Sequence, residues 1–567
     1  MIPSSLLLQA GDLLPEGLEI GFKLVPAVIV ISMMALFLAV GFAFKVADTD
    51  DMWVAGRSIG NIENGMAIGA NWMSAASYLG MAALIALSGV YGLAYVVGWT
   101  TGYFVLLIFM AAQMRRFGKY TAPDFVGDRF NSDTARALAA ITTFLIGFVY
   151  ALGQARGMGL VGMYVLGDIN NVIAIPGLSA YQAMMVLFML VTIAYLTLSG
   201  MLGATKNMAL QYVILIGAFL IGLLATGWTA GYSTILPQIE YGMLISELSA
   251  EFSDPFAGGS YYLWIATCFS LAFGTCGLPH VLVRFYTVEN ERTARWSCTW
   301  GLFFIAVLYL SAPAFAAFGT DLYTNSQFGP TYGDPGMSDA AADVIVVLAA
   351  QLANLPTWLV GFVAAGGIAA AVATTSGLFI AASSAISHDI YANIINEDAT
   401  QRQQVLVGRL SIIGIGLLTI LFALDPQAPI AALVSFAFSL AAIVLFPMFF
   451  LGLWWENTNR PGALAGMTSG IVIWFIPMLN EGQFGLVDGG AGFGIEFLAT
   501  WMPAVGSGLI GVPLVFAITI FVSYVTDEPP LRTKRMVRQC HSPDPMPKDK
   551  TAAQVVSEKV DDAPADD

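Results

Sequence analysis

Long apolar runs separated by short polar gaps dominate this chain. Most runs contain about 18 to 29 residues, and a helix needs roughly 20 to cross a hydrocarbon core about 30 Å thick. The pattern therefore predicts an all-α polytopic membrane protein. We expect thirteen transmembrane helices, at 24–46, 64–89, 91–114, 137–163, 180–200, 207–228, 261–282, 297–319, 357–385, 407–425, 429–453, 462–480 and 503–525.

Two of these runs carry signals for an interrupted helix. The second places polar residues at mid-depth between Ala70 and Ser77, and the seventh combines glycines with a proline between Gly274 and Pro279. The two runs are five spans apart, and five is odd, so two five-helix repeats would be inverted. Interrupted helices at corresponding positions of inverted repeats are typical of the binding site of a secondary transporter. The alternative is that the glycines only allow close packing and the serines bond back to helix carbonyls.

The spans divide the chain into segments that alternate between the two sides of the membrane. We expect an extracytoplasmic N-terminal segment, a first span with its cytoplasmic loop, the first inverted repeat, an outer loop, the second inverted repeat, two peripheral spans and a disordered cytoplasmic tail. The boundaries are 1–23, 24–63, 64–228, 229–260, 261–453, 454–525 and 526–567.

Composition and charge agree with this organisation. The chain is 57% hydrophobic and 11% charged, which excludes an ordinary soluble domain. Of the 23 Lys and Arg residues, all but Lys23 and Arg156 fall in every second gap between spans, at a span end beside such a gap, or in the tail after the last span. Basic residues near spans mark the cytoplasmic face, so the N-terminus is predicted outside and the C-terminus inside a cell membrane. Lipid is an expected partner and nucleic acid is not.

Arg156 is the one basic residue predicted in the interior of a span rather than close to its end. Burying it at bilayer depth costs about 3 kcal/mol on the gentlest scale. No acid lies at mid-depth in the spans, so the carboxylate of a substrate is one possible partner, with Gln154 close by. Alternatively, Arg156 reaches the outer interface or caps carbonyls of a broken helix. Further substrate candidates are Ser74 and Ser77 in the second span and Thr275 in the seventh.

The histidines give no indication of catalysis. His280 and His388 lie at predicted cytoplasmic helix ends and His541 lies in the tail, so we expect surface residues and no metal cluster. A membrane enzyme would need a nucleophile with a base, or grouped metal ligands, and the sequence shows neither. A sensor would need an appended signalling domain, and a channel would show neither saturation nor counterflow. The chain is therefore predicted to be a carrier rather than an enzyme.

Four motifs give the chain a specific resemblance. It resembles the sodium:solute symporter family, and within it the acetate and short-chain monocarboxylate permeases. The motifs are RFGKYTAPDF at 116–125, followed by Arg129-Phe130; GMLGAT at 200–205, followed by Gln211-Tyr212; GLPHVLVRF at 277–285; and SHDIY at 387–391.

The resemblance implies a leucine-transporter-like fold, in which spans two to six and seven to eleven form inverted repeats. It also implies a Na⁺ site between the second and ninth spans. Carried over by position, its ligands are the carbonyls of Ala70, Met73 and Ala370 and the hydroxyl of Thr374. Many members have a second hydroxyl where this chain has Ala373, so Thr375 or Ser376 is a possible substitute.

The implied function is Na⁺-coupled import of acetate, propionate, pyruvate or lactate by alternating access. The implied site contains no carboxylate, because Trp72 stands where some relatives place an Asp, and neutral oxygens bind Na⁺ but carry no proton. The alternatives are Na⁺-coupled transport of another small solute, such as an amino acid, and H⁺-coupled transport of a monocarboxylate.

Overall fold

A computed structural model gives the fold of the protein. It describes residues 23–166, 178–232, 250–254, 260–326, 339–425, 428–481, 493–542 and 552–561, with isolated positions between them. The N-terminal segment 1–22 and most of the predicted outer loop 229–260 lie outside the described residues. No strand occurs in the described ranges.

The first half of the described chain contains nine helices before the predicted outer loop. They are α1 (Leu24–Ala43), α2 (Thr49–Val54), α3 (Asn61–Trp72), α4 (Met81–Ser88, preceded by a π-helical turn at Ala76–Gly80), α5 (Leu93–Phe109), α6 (Ala111–Phe117), α7 (Ala122–Phe130), α8 (Asp133–Leu166) and α9 (Ala180–Ala230).

The second half begins within that loop. Its helices are α10 (Ala250–Ser253), α11 (Tyr261–Gly277), α12 (Pro279–Leu282, with a 3₁₀ turn at Val283–Phe285), α13 (Glu291–Thr324), α14 (Asp339–Asp343), α15 (Ile345–Leu352), α16 (Thr357–Ser384, extended by π turns to Ile395), α17 (Gln401–Ala423), α18 (Ile430–Leu440), α19 (Phe446–Trp454), α20 (Arg460–Asn480), α21 (Glu496–Trp501), α22 (Gly508–Val525), α23 (Leu531–Cys540) and α24 (Ala552–Asp561).

The structure confirms an all-helical membrane protein but not the number of spans. Within the described ranges, ten helices are long and apolar enough to cross a membrane, or eleven if one bent pair is a single span. One of them, α9, has 51 residues, or roughly 76 Å, more than twice the core thickness of about 30 Å. Gly200 interrupts it with a left-handed φ of 51°, and Gly89 with φ 57° separates α4 from α5. Both breaks lie at predicted span boundaries, but thirteen spans stay a prediction, as do the repeat boundaries.

Helix α16 is at the centre of the bundle. It packs against α8 and α9, and its most apolar 18-residue stretch is fully buried, whereas only 33% of the corresponding stretch of α17 or α22 is buried. Small residues permit this position, because helices associate in lipid through close packing. At Gly377 a Cβ atom would overlap the side chain of Asn71. The centre of the bundle is therefore where α16 approaches the end of α3.

Two segments outside the predicted spans, the loop after α13 and the tail, contain buried helices that the sequence analysis did not predict. The predicted outer loop after α13 contains the buried helices α14 and α15, with Asp343 only 1% exposed. The tail was predicted to be disordered, yet α23 buries Met536 and Cys540 and packs against α6 and α7. Its apolar residues recur at helical spacing, which the average composition of the tail conceals.

Candidate functional site

The second span is interrupted where the sequence predicted a break. Helix α3 ends at Trp72, and the Ser74 amide donates to the Trp72 carbonyl at 2.7 Å instead of to Ala70, its partner in a continuous helix. The next amide, of Ala75, donates to Gln154 Oε1 at 2.8 Å. The break therefore frees the carbonyls of Ala70 and Asn71 from their helical donors, inside a fully buried region.

Thr374 of α16 faces this break. Its hydroxyl donates to the Asn71 carbonyl at 2.9 Å, which joins the two elements on which the cation site was predicted. The donated proton leaves the lone pairs of Thr374 Oγ1 available. Three of the predicted Na⁺ ligands, Ala70, Met73 and Thr374, thus lie on the two segments that meet here, and Ala370 lies one turn earlier in α16. Neutral oxygens of this kind suit a hard monovalent cation.

The neighbouring hydroxyls of α16 have other partners. Thr375 donates to Ala371 at 2.8 Å, and Ser376 donates to Val372 at 2.7 Å, in the preceding turn of their own helix. The Ser376 hydroxyl also meets the Tyr195 hydroxyl of α9. Successive residues of an α-helix are about 100° apart, so the two side chains diverge from Thr374. Thr375 as a Na⁺ ligand stays a prediction. The hydrogen bond described for its hydroxyl is to its own helix and not to α3, so it gives this prediction no support.

The seventh span is also interrupted as predicted. Helix α11 ends at Gly277, and the chain turns by 52° into the segment Pro279–Phe285. A Cβ atom at Gly277 would overlap the Ala441 carbonyl, so the sequence keeps glycine at this contact. The side-chain amide of Asn71 donates through Nδ2 to the backbone carbonyl of His280 at 3.2 Å. The two broken spans therefore touch at their breaks.

An aromatic cluster, missed by the sequence reasoning, lies beside these breaks. The Trp72 ring centroid is 4.6 Å from that of Tyr103 and 5.5 Å from that of Phe438. These three residues sit on three different helices, so the periodicity of a single helix does not predict that they meet. The aromatic cluster consists of Trp72, Trp99, Tyr103, Tyr150, Tyr309 and Phe438, all at most 3% exposed.

The predicted substrate residues divide into two groups. Ser77 lies against the aromatic cluster, with its hydroxyl 2.9 Å from that of Tyr309. Gln154 is buried, and its Nε2 has no partner, so a donor is available beside Ser74 and the break. Thr275 instead bonds to Leu271 at 2.8 Å in its own helix. The structure therefore brings Ser74, Ser77 and Gln154 together at the break, whereas the Thr275 hydroxyl already has a partner.

Arg156 has the acid partner that the sequence analysis did not find. Its Nε donates to Asp343 Oδ2 at 2.8 Å and its Nη1 donates to the Ala428 carbonyl at 3.0 Å. The side chains of Arg156 and Asp343 are 9% and 2% exposed. The expectation of an unpaired cation was wrong, because Asp343 comes from the segment taken for an outer loop. The expected substrate role of Arg156 rested on the absence of an acid partner, and the ion pair with Asp343 removes that reason.

The four sequence motifs meet in pairs. Arg284 of the motif 277–285 donates to Thr205 of the motif 200–205, and the other pair joins the motifs 116–125 and 387–391. In the latter pair, Thr121 donates to Asp389 at 2.7 Å, and Asp124 lies 3.0 Å from His388 Nε2 and 2.9 Å from Arg136 Nη1. Burial would raise the pKa of Asp124, but His388, Lys119 and Arg136 together hold it well below its usual range. These contacts join the loop after α6 to the end of α16.

Two expectations about histidines were wrong. Potential ligand atoms of Asp124, His388 and Asp389 lie within 4.8 Å of one another, although no cluster was expected. Because Asp124 already pairs with Arg136, we interpret this group as an ion-pair network. His280 is 1% exposed rather than on the surface, since the bent segment Pro279–Phe285 folds inward against α3.

Comparison with known proteins identifies transporters that are similar to this chain in sequence and in fold. The chain is 30% identical to a monocarboxylic acid transporter of Corynebacterium glutamicum, over 90% of this chain and 93% of that one. It is 31% identical to the uncharacterized symporter YwcA of Bacillus subtilis, over 87% of this chain and 92% of that one. The fold is similar to that of a Na⁺-coupled sialic acid symporter in a substrate-bound, outward-open state, with a TM-score of 0.68 at 15% identity, covering 90% of this chain and 99% of that one.

The profile of the sodium:solute symporter family matches residues 52–470, including all four motifs. This agrees with the resemblance inferred from the sequence, with the leucine-transporter-like fold, and with Na⁺ as the co-transported ion. Family and fold are those of transporters rather than enzymes. The chain is a multi-pass transmembrane symporter that belongs to the sodium:solute symporter family.

Proposed function

We propose that this protein imports a small monocarboxylate together with Na⁺ by alternating access. The observation that carries the cation part is the contact between Thr374 and the interrupted second span. The substrate class is supported by the relative named a monocarboxylic acid transporter, which matches along almost its whole length. The candidate cargo is acetate, propionate, pyruvate or lactate.

Na⁺ binds between α3 and α16 in this proposal. Its ligands are the carbonyls of Ala70, Met73 and Ala370 and the hydroxyl of Thr374. Residues 64–88 and 357–384 contain no Asp, Glu or His, so the two segments that form the site have no side chain able to carry a proton at neutral pH. This favours Na⁺ over H⁺ as the coupling ion.

The carboxylate binds beside the cation, at the break of the second span. The free Nε2 of Gln154 and the hydroxyls of Ser74 and Ser77 donate to its oxygens, and the aromatic cluster packs against its short apolar end. A pocket built mainly of aromatic rings accepts two- or three-carbon acids and discriminates weakly among them, because one methylene is worth only about 1–3 kcal/mol. Cation and anion enter together, so their mutual attraction couples the two bindings.

The predicted orientation places the N-terminus outside and the C-terminus in the cytoplasm. Arg116 of α6 donates to the Ser542 carbonyl at 2.5 Å, so the basic segment after α5 and the end of the tail helix lie on the same face. The tail helix α23 packs against α6 and α7 on the same face. The clustering of basic residues there supports a cytoplasmic assignment.

Uptake by the purified protein in proteoliposomes tests the proposal. We expect labelled acetate to accumulate with an inward Na⁺ gradient, to saturate, and to show counterflow, with the four acids competing. Uptake that ignores Na⁺ and follows a proton gradient would refute the cation assignment. Competition by an amino acid but by none of the four acids would refute the substrate class.

A further inference from the structure

Arg284 is a fully buried cation without an acid partner among the described residues. Its side chain is 0% exposed. Its Nη1 donates to Thr205 Oγ1 at 2.9 Å, its Nη2 lies 2.7 Å from Met208 Sδ, and its Nε has no partner. A thioether is a weak acceptor, and burying an unpaired charge costs several kcal/mol. The structure therefore retains a positive charge here at a cost in stability.

Other buried arginines of the described chain are better satisfied. Arg129 donates to backbone carbonyls in the last turn of α19 and just after it. Arg136 contacts the carboxylates of Asp124 and Asp128, and Arg156 pairs with Asp343. These contacts explain three of the buried guanidinium groups as structural. Arg284 differs, because among the described residues it contacts neither a carboxylate nor a backbone carbonyl, its Nη2 meets only a thioether sulfur and its Nε has no partner.

The incomplete edge of Arg284 has the geometry that a carboxylate recognises. Nε and Nη2 lie along one side of the guanidinium plane, and two parallel N–H groups on one side form a fork for the two oxygens of a carboxylate. In this structure the edge meets only the Met208 sulfur at Nη2 and nothing at Nε. A small anion that displaces Met208 would complete both hydrogen bonds and neutralise the charge.

His280 supplies a second free group next to this edge. It lies four residues before Arg284 in the same short helical segment, so the two side chains are neighbours. The His280 ring is 1% exposed, and neither ring nitrogen has a partner. A neutral imidazole always has one N–H donor. Arg284 and His280 thus offer a charge and a hydrogen bond in one buried place.

The pair lies between the aromatic cluster and the face that carries the basic loops. The His280 ring centroid is 5.4 Å from that of Tyr150, a member of the cluster. Asn64, near the start of α3, donates to the Arg284 carbonyl at 3.0 Å, and Thr205 comes shortly after the break of α9. A substrate that left the cluster toward this face, between α3, α9 and Pro279–Phe285, would meet Arg284 next.

We propose that Arg284 and His280 form a second anion-binding site, which receives the substrate carboxylate between the aromatic cluster and the cytoplasm. The inference rests on the proposed function, since it requires a carboxylate cargo. The carboxylate oxygens take Nε and Nη2 of Arg284, and one oxygen also accepts from His280. The contacts of Arg284 with Thr205 and Met208 hold the site closed until the substrate arrives.

A built-in carboxylate tests the site without removing Arg284. Met208→Glu places an acid at the free edge, so it should compete with the substrate at the second site. We expect the KM for labelled acetate to rise at least tenfold in everted vesicles, where the cytoplasmic face is outside, and less than twofold in intact cells. The matched control Met208→Gln adds a polar group of the same size without the charge, so its cytoplasmic-face KM should rise less than that of Met208→Glu.

Arg284→Lys provides an independent measurement. It keeps the charge but loses the fork, so we expect its cytoplasmic-face KM to lie between those of the wild type and Met208→Glu. Equal changes at both faces, or no change in Met208→Glu, would overturn the second site while wild-type uptake still supports the proposed function. Failure of the wild type itself to transport any carboxylate would overturn the proposed function and the second site with it.

Discussion

Replacing Arg156 separates a structural ion pair from a substrate-binding group. Arg156→Gln leaves the Asp343 carboxylate, 2% exposed, without its cation. Removing one partner of a buried pair costs about 3–5 kcal/mol, because the other charge stays desolvated. At about 1.36 kcal/mol per factor of ten, the folding equilibrium should shift by roughly two to nearly four orders of magnitude. We expect a lower Tm for the detergent-purified protein.

The loss should depend on pH in a defined direction. Burial already raises the pKa of Asp343 to about 6, although Arg156 opposes this rise. Without Arg156 the opposition disappears and the pKa rises further. A raised carboxyl pKa means that stability is retained at low pH and lost as pH increases through that pKa. The Tm deficit of Arg156→Gln should therefore be larger at pH 8 than at pH 5.

A second substitution provides the control. Arg156→Gln/Asp343→Asn removes both charges, so most of the Tm should return and the pH dependence that comes from Asp343 should disappear. Arg538→Gln breaks a pair in which Arg538 is 68% exposed, and it should leave Tm unchanged. If Arg156→Gln instead kept its Tm but lost uptake, and the double variant restored nothing, Arg156 would bind substrate and the structural interpretation would be wrong.

Further substitutions test the rest of the site. Thr374→Ala should raise the Na⁺ concentration for half-maximal uptake at least tenfold, whereas Thr375→Ala should change it less than twofold; the reverse order would assign the ligand to Thr375. Gly377→Ala should lower Tm and slow uptake because its Cβ overlaps Asn71, and a wild-type Tm would contradict that packing. Asp124→Asn should lower Tm above pH 4 but less at lower pH, because a carboxylate with a lowered pKa stabilises the fold only while ionised; a deficit that stays constant with pH would contradict the ion-pair network.

Some features of the fold and of the site could be predicted from local sequence patterns. The breaks at Ser74 and near Gly277 were predictable, because polar residues, glycine and proline interrupt the hydrogen-bond ladder of a helix wherever the helix lies. The four motifs identified the family for the same reason, since each is a local string. Thr374 as a cation ligand came from that resemblance, and its contact with Asn71 supports it.

Pairings between distant segments were not predictable. Asp343 meets Arg156 across 187 residues, and the motif containing Arg284 meets the motif containing Thr205 across 79 residues. Nothing in either segment encodes the identity of its partner. For this reason the sequence suggested that Arg156 lacked a counter-ion, although Asp343 supplies one.

The sequence by itself determined the class of the protein, its family and the positions of its interrupted helices. These follow from hydrophobicity, helix-breaking residues and local motifs, which act along the chain. Only the tertiary structure decided which charges are paired, that an aromatic cluster fills the centre, and that His280 is buried. Those properties depend on which helices touch, and helix packing in lipid is set by the fit of whole surfaces rather than by any single segment.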